Sequence, residues 1–312
     1  MSIDIPAASE FMTSQARVLD RRRFDWRRGS ADAAALLAAL DAYRNPDGGY
    51  GWGLEPDLRS PESQPAAAHH AFEVFAEVAP VIAPAAASLC DWLDSVTHED
   101  GGLPFALPLR TAAGSGPWWI AADPEESSLQ ITSIVAAKAH RVAAHDPAVA
   151  SHRWLQRATR YCLGEIGKLD ESVFAYVLSF SLQFLDAVQG EYPDEVATLV
   201  SRLSKLVPSD GRLRVRGGAE DEGLHPLDLA PNPGHLARRL FSDEVIAADL
   251  ERLAALQQED GGWVVDFHSA SPAAALEWRG YATVKALDIF DPMASGMSFS
   301  PGSRPRPTRV GP

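Results

Sequence analysis

Along this chain, apolar residues recur at intervals of three and four in several blocks of about a dozen positions. Ile82, Ala86, Leu89, Leu93 and Val96 form one series, with Asp91, Asp94 and Ser95 on the opposite side. Val196, Leu199, Val200, Leu203 and Leu206 form a second. Ile246, Leu250, Leu253 and Leu256 form a third, beside Asp249, Glu251 and Arg252. One apolar stripe at helical spacing predicts a helix that buries one face. Other blocks are apolar nearly all round. The stretch 173–188 carries Phe174, Tyr176, Phe180 and Phe184, and 273–290 carries Leu276, Trp278, Tyr281 and Phe290. Milder cases lie at 66–78 and 131–142. A helix without a wet face has to be surrounded.

The two kinds alternate, and an Asp-Gly-Gly turn stands between them at 47–49, 100–102 and 260–262, with a degenerate copy at Asp210–Gly211. Asp47, Asp100, Asp210 and Asp260 are 53, 110 and 50 residues apart, so the middle interval holds two periods with one turn lost, around 164–170. A repeat of this length suits one helical hairpin. Glycine after a helix accepts the left-handed backbone that ends it, and Asp hydrogen-bonds the turn. An outer ring of one-faced helices around an inner ring of enclosed ones satisfies both patterns. The predicted fold is therefore all-α: a single-domain (α/α) toroid of five or six hairpins over 1–290. Prolines mark longer connections at 104–119 and 207–236, and the Ser, Gly, Pro and Arg beyond Pro292 predict a disordered tail over 291–312.

Composition narrows the partners. With 46% hydrophobic and 22% charged residues the chain can bury a sizeable core. Its net charge of −14 argues against nucleic acid, which needs a concentrated basic surface. The one basic run, Arg21–Arg22–Arg23 with Arg27 and Arg28, reads as a solvated helix face. No apolar run reaches the ~20 residues of a membrane span. The first residues, with Asp4, Pro6 and Glu10, lack a basic region followed by an apolar core, so cytoplasmic residence is expected. Cys90 and Cys162 sit in apolar helical patterns and predict neither a disulfide nor a metal site.

Gln257-Gln258-Glu259-Asp260-Gly261-Gly262-Trp263 resembles the Gln…Gly…Trp repeat of squalene–hopene cyclases, and Asn45 to Trp52 and Glu99 to Leu103 look like divergent copies. Protein prenyltransferase β-subunits use similar turns. The likeness spans about 31–290 and implies a barrel with a central cavity open at the N-terminal ends of the inner helices. It implies less about chemistry, because one barrel serves different tasks.

Catalytic groups in such a barrel belong on the segments entering the inner helices. Asp123-Pro124-Glu125-Glu126-Ser127 is similar to the Asp-x-Asp-Asp-Thr motif of class II terpene cyclases, with Glu in place of the second and third Asp. The resemblance implies Glu125 as general acid, supported by Asp123 and Glu126, since crowded carboxylates in a dry pocket cannot all ionise. Asp123 and Glu126 also fit a capping box with Pro124 at the first helical position. A second acidic group, Glu55 and Asp57 around Pro56, is read as a substrate-binding loop or as charges paired with Arg59. His268, between Trp263 and Trp278, is a third candidate. Trp52, Phe105, Trp118, Trp119, Trp263 and Trp278 cluster near the turns, where ring faces can stabilise a carbocation.

The chain has no Asp-Asp-x-x-Asp run, no Asp-x-Cys pair with a downstream His, no phosphate loop and no Gly-x-Ser-x-Gly elbow. No metal and no cofactor is expected. The leading expectation is a class II-like isoprenoid cyclase acting on a small apolar substrate. The alternatives are a non-catalytic barrel that binds an apolar ligand or a protein partner, and a carbohydrate-active barrel using two carboxylates such as Glu55 and Glu125.

Overall fold

The computed structural model describes residues 3–290 and is mostly helical, as expected. In chain order the helices are α1 (Ile5–Ser14), α2 (Val18–Arg27), α3 (Ala33–Asp41), α4 (Pro65–Glu77), α5 (Pro84–Val96), α6 (Pro117–Ile120) and α7 (Leu129–Ala143). They continue with α8 (Pro147–Ala150), α9 (Arg153–Ile166), α10 (Ala175–Val188), α11 (Pro193–Leu203), α12 (Pro226–Leu229), α13 (Asp243–Ala255) and α14 (Pro272–Phe290). The 207–236 connection contributes a two-stranded antiparallel ribbon, β1 (Leu213–Arg214) with β2 (Gly223–Leu224), and a 3₁₀ turn follows at Leu236–Leu240. The tail expected over 291–312 lies outside the described residues. No helix among those described is long and apolar enough to cross a membrane.

Local sequence starts these helices in the usual ways. Asp4, Asp32, Ser128 and Ser242 each accept an amide of the first turn, and proline opens α1, α4, α5 and α11, where its missing N–H costs nothing. The Asp-Gly-Gly turns take the form their residues demand. Gly48, Gly101, Gly211 and Gly261 all have positive φ, and Asp47, Asp100 and Asp260 each accept the amide two residues on.

Burial sorts the helices as the patterning predicts, with one reversal. In α9 the buried residues Trp154, Leu155, Ala158, Thr159, Cys162, Leu163 and Ile166 form one stripe. In α7 every residue from Ile131 to Ala139 is buried, and α4 is buried over Pro65–Ala68 and again from His70 to Phe75. These two, the milder cases by sequence, are the most enclosed. α14 keeps a polar side because Glu277, Arg279 and Lys285 interrupt its apolar surface, and only six of its residues are buried. Neighbour relations run from α4 to α7 to α10 to α12 to α13, while α14 packs on α2 and α1, and α2 on α3. The missing turn of the repeat falls at 167–174, between α9 and α10; Gly164 itself lies inside α9.

One reading from composition needs correction. The basic run of α2 is solvated only in part: Arg22 and Arg28 are exposed, but Arg23 is 2% exposed and the Arg27 side chain packs against Glu77 and Asp288. A run of arginines looks wet only while its acidic partners, on α4 and α14, are out of view.

Candidate functional site

The segment from Gly51 to Gln64, between the first Asp-Gly-Gly turn and α4, folds into the protein instead of over it. Glu55, Asp57, Ser60, Ser63 and Gln64 are all buried. The chain can turn in so tightly because of its glycines: a Cβ on Gly51 would lie 2.2 Å from the Glu62 carbonyl oxygen, and Gly53 has φ +72°. Each polar group brought inside has a partner, as burial requires. Arg17 donates to the Gly53 and Leu54 carbonyls at 3.3 and 3.0 Å. Arg59 donates to Glu277 at 2.6 Å. Gln64 exchanges hydrogen bonds with the Leu107 backbone in both directions.

Two carboxylates result, in different settings. Asp57 is 2% exposed; one oxygen accepts the Ala270 amide at 2.6 Å and the other the Trp278 indole N–H at 2.7 Å. Burial pushes its pKa up against those hydrogen bonds, and neighbouring Glu55 pushes the same way. Glu55 accepts the Asp57 amide through one oxygen and meets His70 Nε2 at 2.8 Å with the other. Burial draws the His70 imidazole down, but its bonds to Glu55 and Glu73 more than reverse this and leave its pKa raised.

From His70 the polar line runs inward to Glu73, at 3.5 Å from Nδ1. Glu73 is a hub, 4% exposed, on which three helices converge. Tyr281 and Lys285 of α14 donate to it at 3.1 and 2.8 Å, Lys138 of α7 forms an ion pair with it at 3.1 Å, and His69 of α4 stands 3.5 Å away. Burial pushes the carboxyl up, yet Lys285, Lys138 and His69 outweigh it and hold Glu73 well below the usual carboxylate range. Burial takes His69 down to about 3, so it is neutral, and Lys138 down to about 7. Rings wall this line: Trp278 packs edge-on to Phe267, Tyr281 and His70, with centroids 5.2, 5.3 and 5.9 Å apart.

The other expected residues are placed as follows. Asp123, Glu125 and Glu126 are exposed and stand in water, outside any enclosed pocket. Asp123 caps a local turn by accepting the Glu125 amide, and Ser128, not Asp123, caps α7. The capping box therefore does not form. Trp52 is 58% exposed, at φ 57°, with its indole on Asn45. Phe105 stacks on Trp119 at 4.6 Å, while Trp118 is exposed. Trp263 is buried between Ala8 and Ala286 and donates to the Leu253 carbonyl, which is a packing role. His268 is exposed, on an open depression of about 520 Å³ along 264–275 that also includes Phe267 and Ala270. A second depression, of about 490 Å³, lies near Asp170 and Arg202, away from these groups. Glu55 and Glu125, the pair a glycosidase would need facing one cleft, differ sharply: one is enclosed against His70, the other exposed. Among the described residues no three His, Cys, Asp or Glu side chains are grouped as metal ligands.

Sequence reading passed over Glu73, Lys138 and Lys285, and took Tyr281 only as part of an apolar helix surface. A signal was present, since a charge inside a helix that is otherwise apolar all round has to meet an opposite charge from a neighbour. The chain matches no protein-family model and no curated protein.

Proposed function

We propose that this chain is an α/α toroid enzyme that protonates a small apolar, isoprenoid-type substrate, with the proton supplied by the Glu55–Asp57–His70 group and not by Glu125. The toroid is six outer–inner pairs: α1–α2, α3–α4, α5–α7, α9–α10, α11–α12 and α13–α14. The observation that carries the chemistry is the Asp57 carboxyl, enclosed, shifted toward its protonated form and wired to an aromatic wall through Trp278.

Protonating an alkene requires an acid that keeps its proton at neutral pH in a place water does not reach. Two crowded carboxylates supply the first condition, because ionising both in a low dielectric is costly. Glu55 is engaged by His70 at 2.8 Å, and burial pushes the Asp57 carboxyl toward its protonated form, so Asp57 is the proton donor of the pair. The depression along 264–275 supplies the approach, since Ala270 and Phe267 both line it and both adjoin the Asp57–Trp278 clasp. A proton passing from Asp57 to an alkene carbon leaves a carbocation on the neighbouring carbon. The faces of Phe267, Trp278 and Tyr281 stabilise that charge as they would a bound cation.

The test is to incubate the protein and its Asp57→Asn, Glu55→Gln and Glu125→Gln variants with linear prenyl alcohols and diphosphates, and to follow cyclic products by gas chromatography. Losing the acid is expected to cost about 100-fold or more in Asp57→Asn, while Glu125→Gln turns over as the parent does. A Glu125→Gln variant that loses the activity while Asp57→Asn keeps it would return the acid to 123–126. If the parent protein cyclises no member of the panel, the isoprenoid reading is finished.

A further inference from the structure

One layer below the Glu55–His70 pair, two lysines from different helices compete for the same carboxylate oxygen. Lys285 Nζ is 2.8 Å and Lys138 Nζ 3.1 Å from Glu73 Oε1. The remaining Glu73 capacity is taken by Tyr281, and Arg23, the next cation, already has Glu77. One carboxylate therefore serves two ammonium groups, and the pair is short of one negative charge. Lys285 keeps 35% of its side chain exposed to water. Lys138 keeps only 9%, so water helps its ammonium form far less.

We propose that Lys138 is an imine-forming lysine, a nucleophile for a small aldehyde or ketone. Every charged or titratable group set around it favours the free amine or serves its chemistry. From α4 come neutral His69 and the Glu73 carboxylate; from α14, the Lys285 ammonium and the Tyr281 phenol. His235, at the start of the 3₁₀ turn, is held neutral near 3 by burial and by the cations Arg141, Lys138 and Lys285. Arg141 lies one turn on along α7 itself. Burial and the two cations bring Lys138 to about 7 despite Glu73, so near neutral pH about half of it is unprotonated.

The steps balance within this set. The Lys138 amine attacks the carbonyl carbon, and its surplus proton passes to Glu73. The Lys285 ammonium gives a proton to the carbonyl oxygen, forming a carbinolamine. Glu73 returns its proton to the hydroxyl, water departs, and the nitrogen's last proton goes back to Lys285. The net change is one amine and one carbonyl giving one imine and one water. Tyr281, on the same carboxylate, fixes the orientation of Glu73 throughout.

This inference does not rest on the cyclase reading, because it needs no prenyl substrate. The chain has four lysines, Lys138, Lys168, Lys205 and Lys285, so each is an internal reference for the others. The full chain would be treated with propanal and cyanoborohydride at pH 7, digested, and the alkylated lysines quantified by mass spectrometry. Lys138 is expected to be modified about tenfold faster than exposed Lys168, because burial and its neighbouring cations favour the free amine at Lys138. Its rate should rise through neutral pH and then level. Lys285→Met, which removes the competing cation, should slow modification of Lys138 at pH 7. Lys168 reacting as fast as Lys138, or a Lys138 rate that keeps climbing into strongly alkaline solution, would overturn the proposal.

Discussion

In the hairpin of α3 and α4, Asp47 accepts the Gly49 amide at 2.9 Å and the Ser63 hydroxyl at 2.8 Å; in that of α5 and α7, Asp100 accepts the Gly102 amide and the Ser127 hydroxyl at the same two distances. In both, the second glycine lies against an aromatic side chain of the next one-faced helix, Trp92 for Gly49 and Tyr161 for Gly102. The connections that follow part company. Residues 51–64 fold inward and carry Glu55 and Asp57 to His70 and Trp278, whereas 103–128 buries Leu103, Ala106 and Trp119 but leaves Asp123, Glu125 and Glu126 in water. Turn chemistry decides how a hairpin is built. Distant partners decide whether its acids are enclosed: Arg17, Gly116, Ala270 and Glu277 hold the first connection, and no comparable set holds the second acidic stretch.

The widest gap between the two regions should appear on removing charge. Arg23 is buried against Glu77, with Glu73 and Asp20 close by. Arg23→Ala would take from Glu77 its nearest cation and leave the buried acids short of positive charge, and is expected to cost about 3–5 kcal/mol in urea unfolding. Glu125→Ala, at an exposed site, should stay within about 0.5 kcal/mol. Equal costs would mean that the charge cluster is not enclosed in solution.

Acidification sharpens the same contrast. Burial raises the Glu77 carboxyl, but Arg23 and Arg27 overcome this and bring it down to about 2. Its folded pKa is depressed, so the stability it contributes is full above the unfolded value near 4.5 and is lost as pH falls toward 2. That loss is on the order of 3 kcal/mol. Glu77→Gln should lie well below the parent in stability at pH 7, and the gap should close through this window, whereas Glu125→Gln should track the parent throughout. A gap that stays constant from pH 7 to pH 3 would show that Glu77 is not ion-paired in solution.

These contrasts also mark how far the chain could be read unaided. The turns were legible because Asp-Gly-Gly chemistry is local: an Asx hydrogen bond and a left-handed glycine need no distant partner. Enclosure of α4 and α7 was legible as well, from residues such as Ala68, Phe72, Ile134 and Val135. What 31–290 could not reveal locally was direction. Glu55-Pro56-Asp57 and Asp123-Pro124-Glu125 carry nearly the same signature, and they differ through pairings such as Arg59 with Glu277, 218 residues apart. Arg23 misled for the same reason, since its partners sit on α4. Glu73 and Lys138 went unread although each is a charge on the enclosed part of its helix, which is itself a sign of an internal pair.

Shape should cost the two hairpins alike where charge does not. A Cβ at Gly49 would come within 2.5 Å of the Ser63 side chain and 2.6 Å of Trp92; at Gly102 the figures are 2.5 Å to Ser127 and 2.8 Å to Tyr161. Gly49→Ala and Gly102→Ala are each expected to lose about 1–3 kcal/mol, the usual range for overpacking, and to agree within about 0.5 kcal/mol. Thermal unfolding of the two variants would check this. A large difference would show that the likeness of the two turns ends at their hydrogen bonds.

The smallest effect tests the hydroxyl that completes each turn. Ser63 is buried, and its Oγ donates to Asp47 while receiving the Asn45 amide at 3.0 Å; Ser127 donates to Asp100 at a more open site. Removing one hydrogen-bonding partner from a buried group leaves the other unsatisfied, whereas at a wetter site water replaces it. Ser63→Ala should therefore cost about 1–2 kcal/mol and Ser127→Ala about 0.5 kcal/mol. Because Asn45 also binds the Pro61 carbonyl and the Trp52 indole, Ser63→Ala should loosen the inward connection as well. Amide hydrogen exchange of Trp52, whose N–H donates to the Ser60 carbonyl, would report that loosening. If Ser127→Ala proves the costlier change, the inward fold of 51–64 does not depend on its turn, and Arg17 and Arg59 hold it without that help.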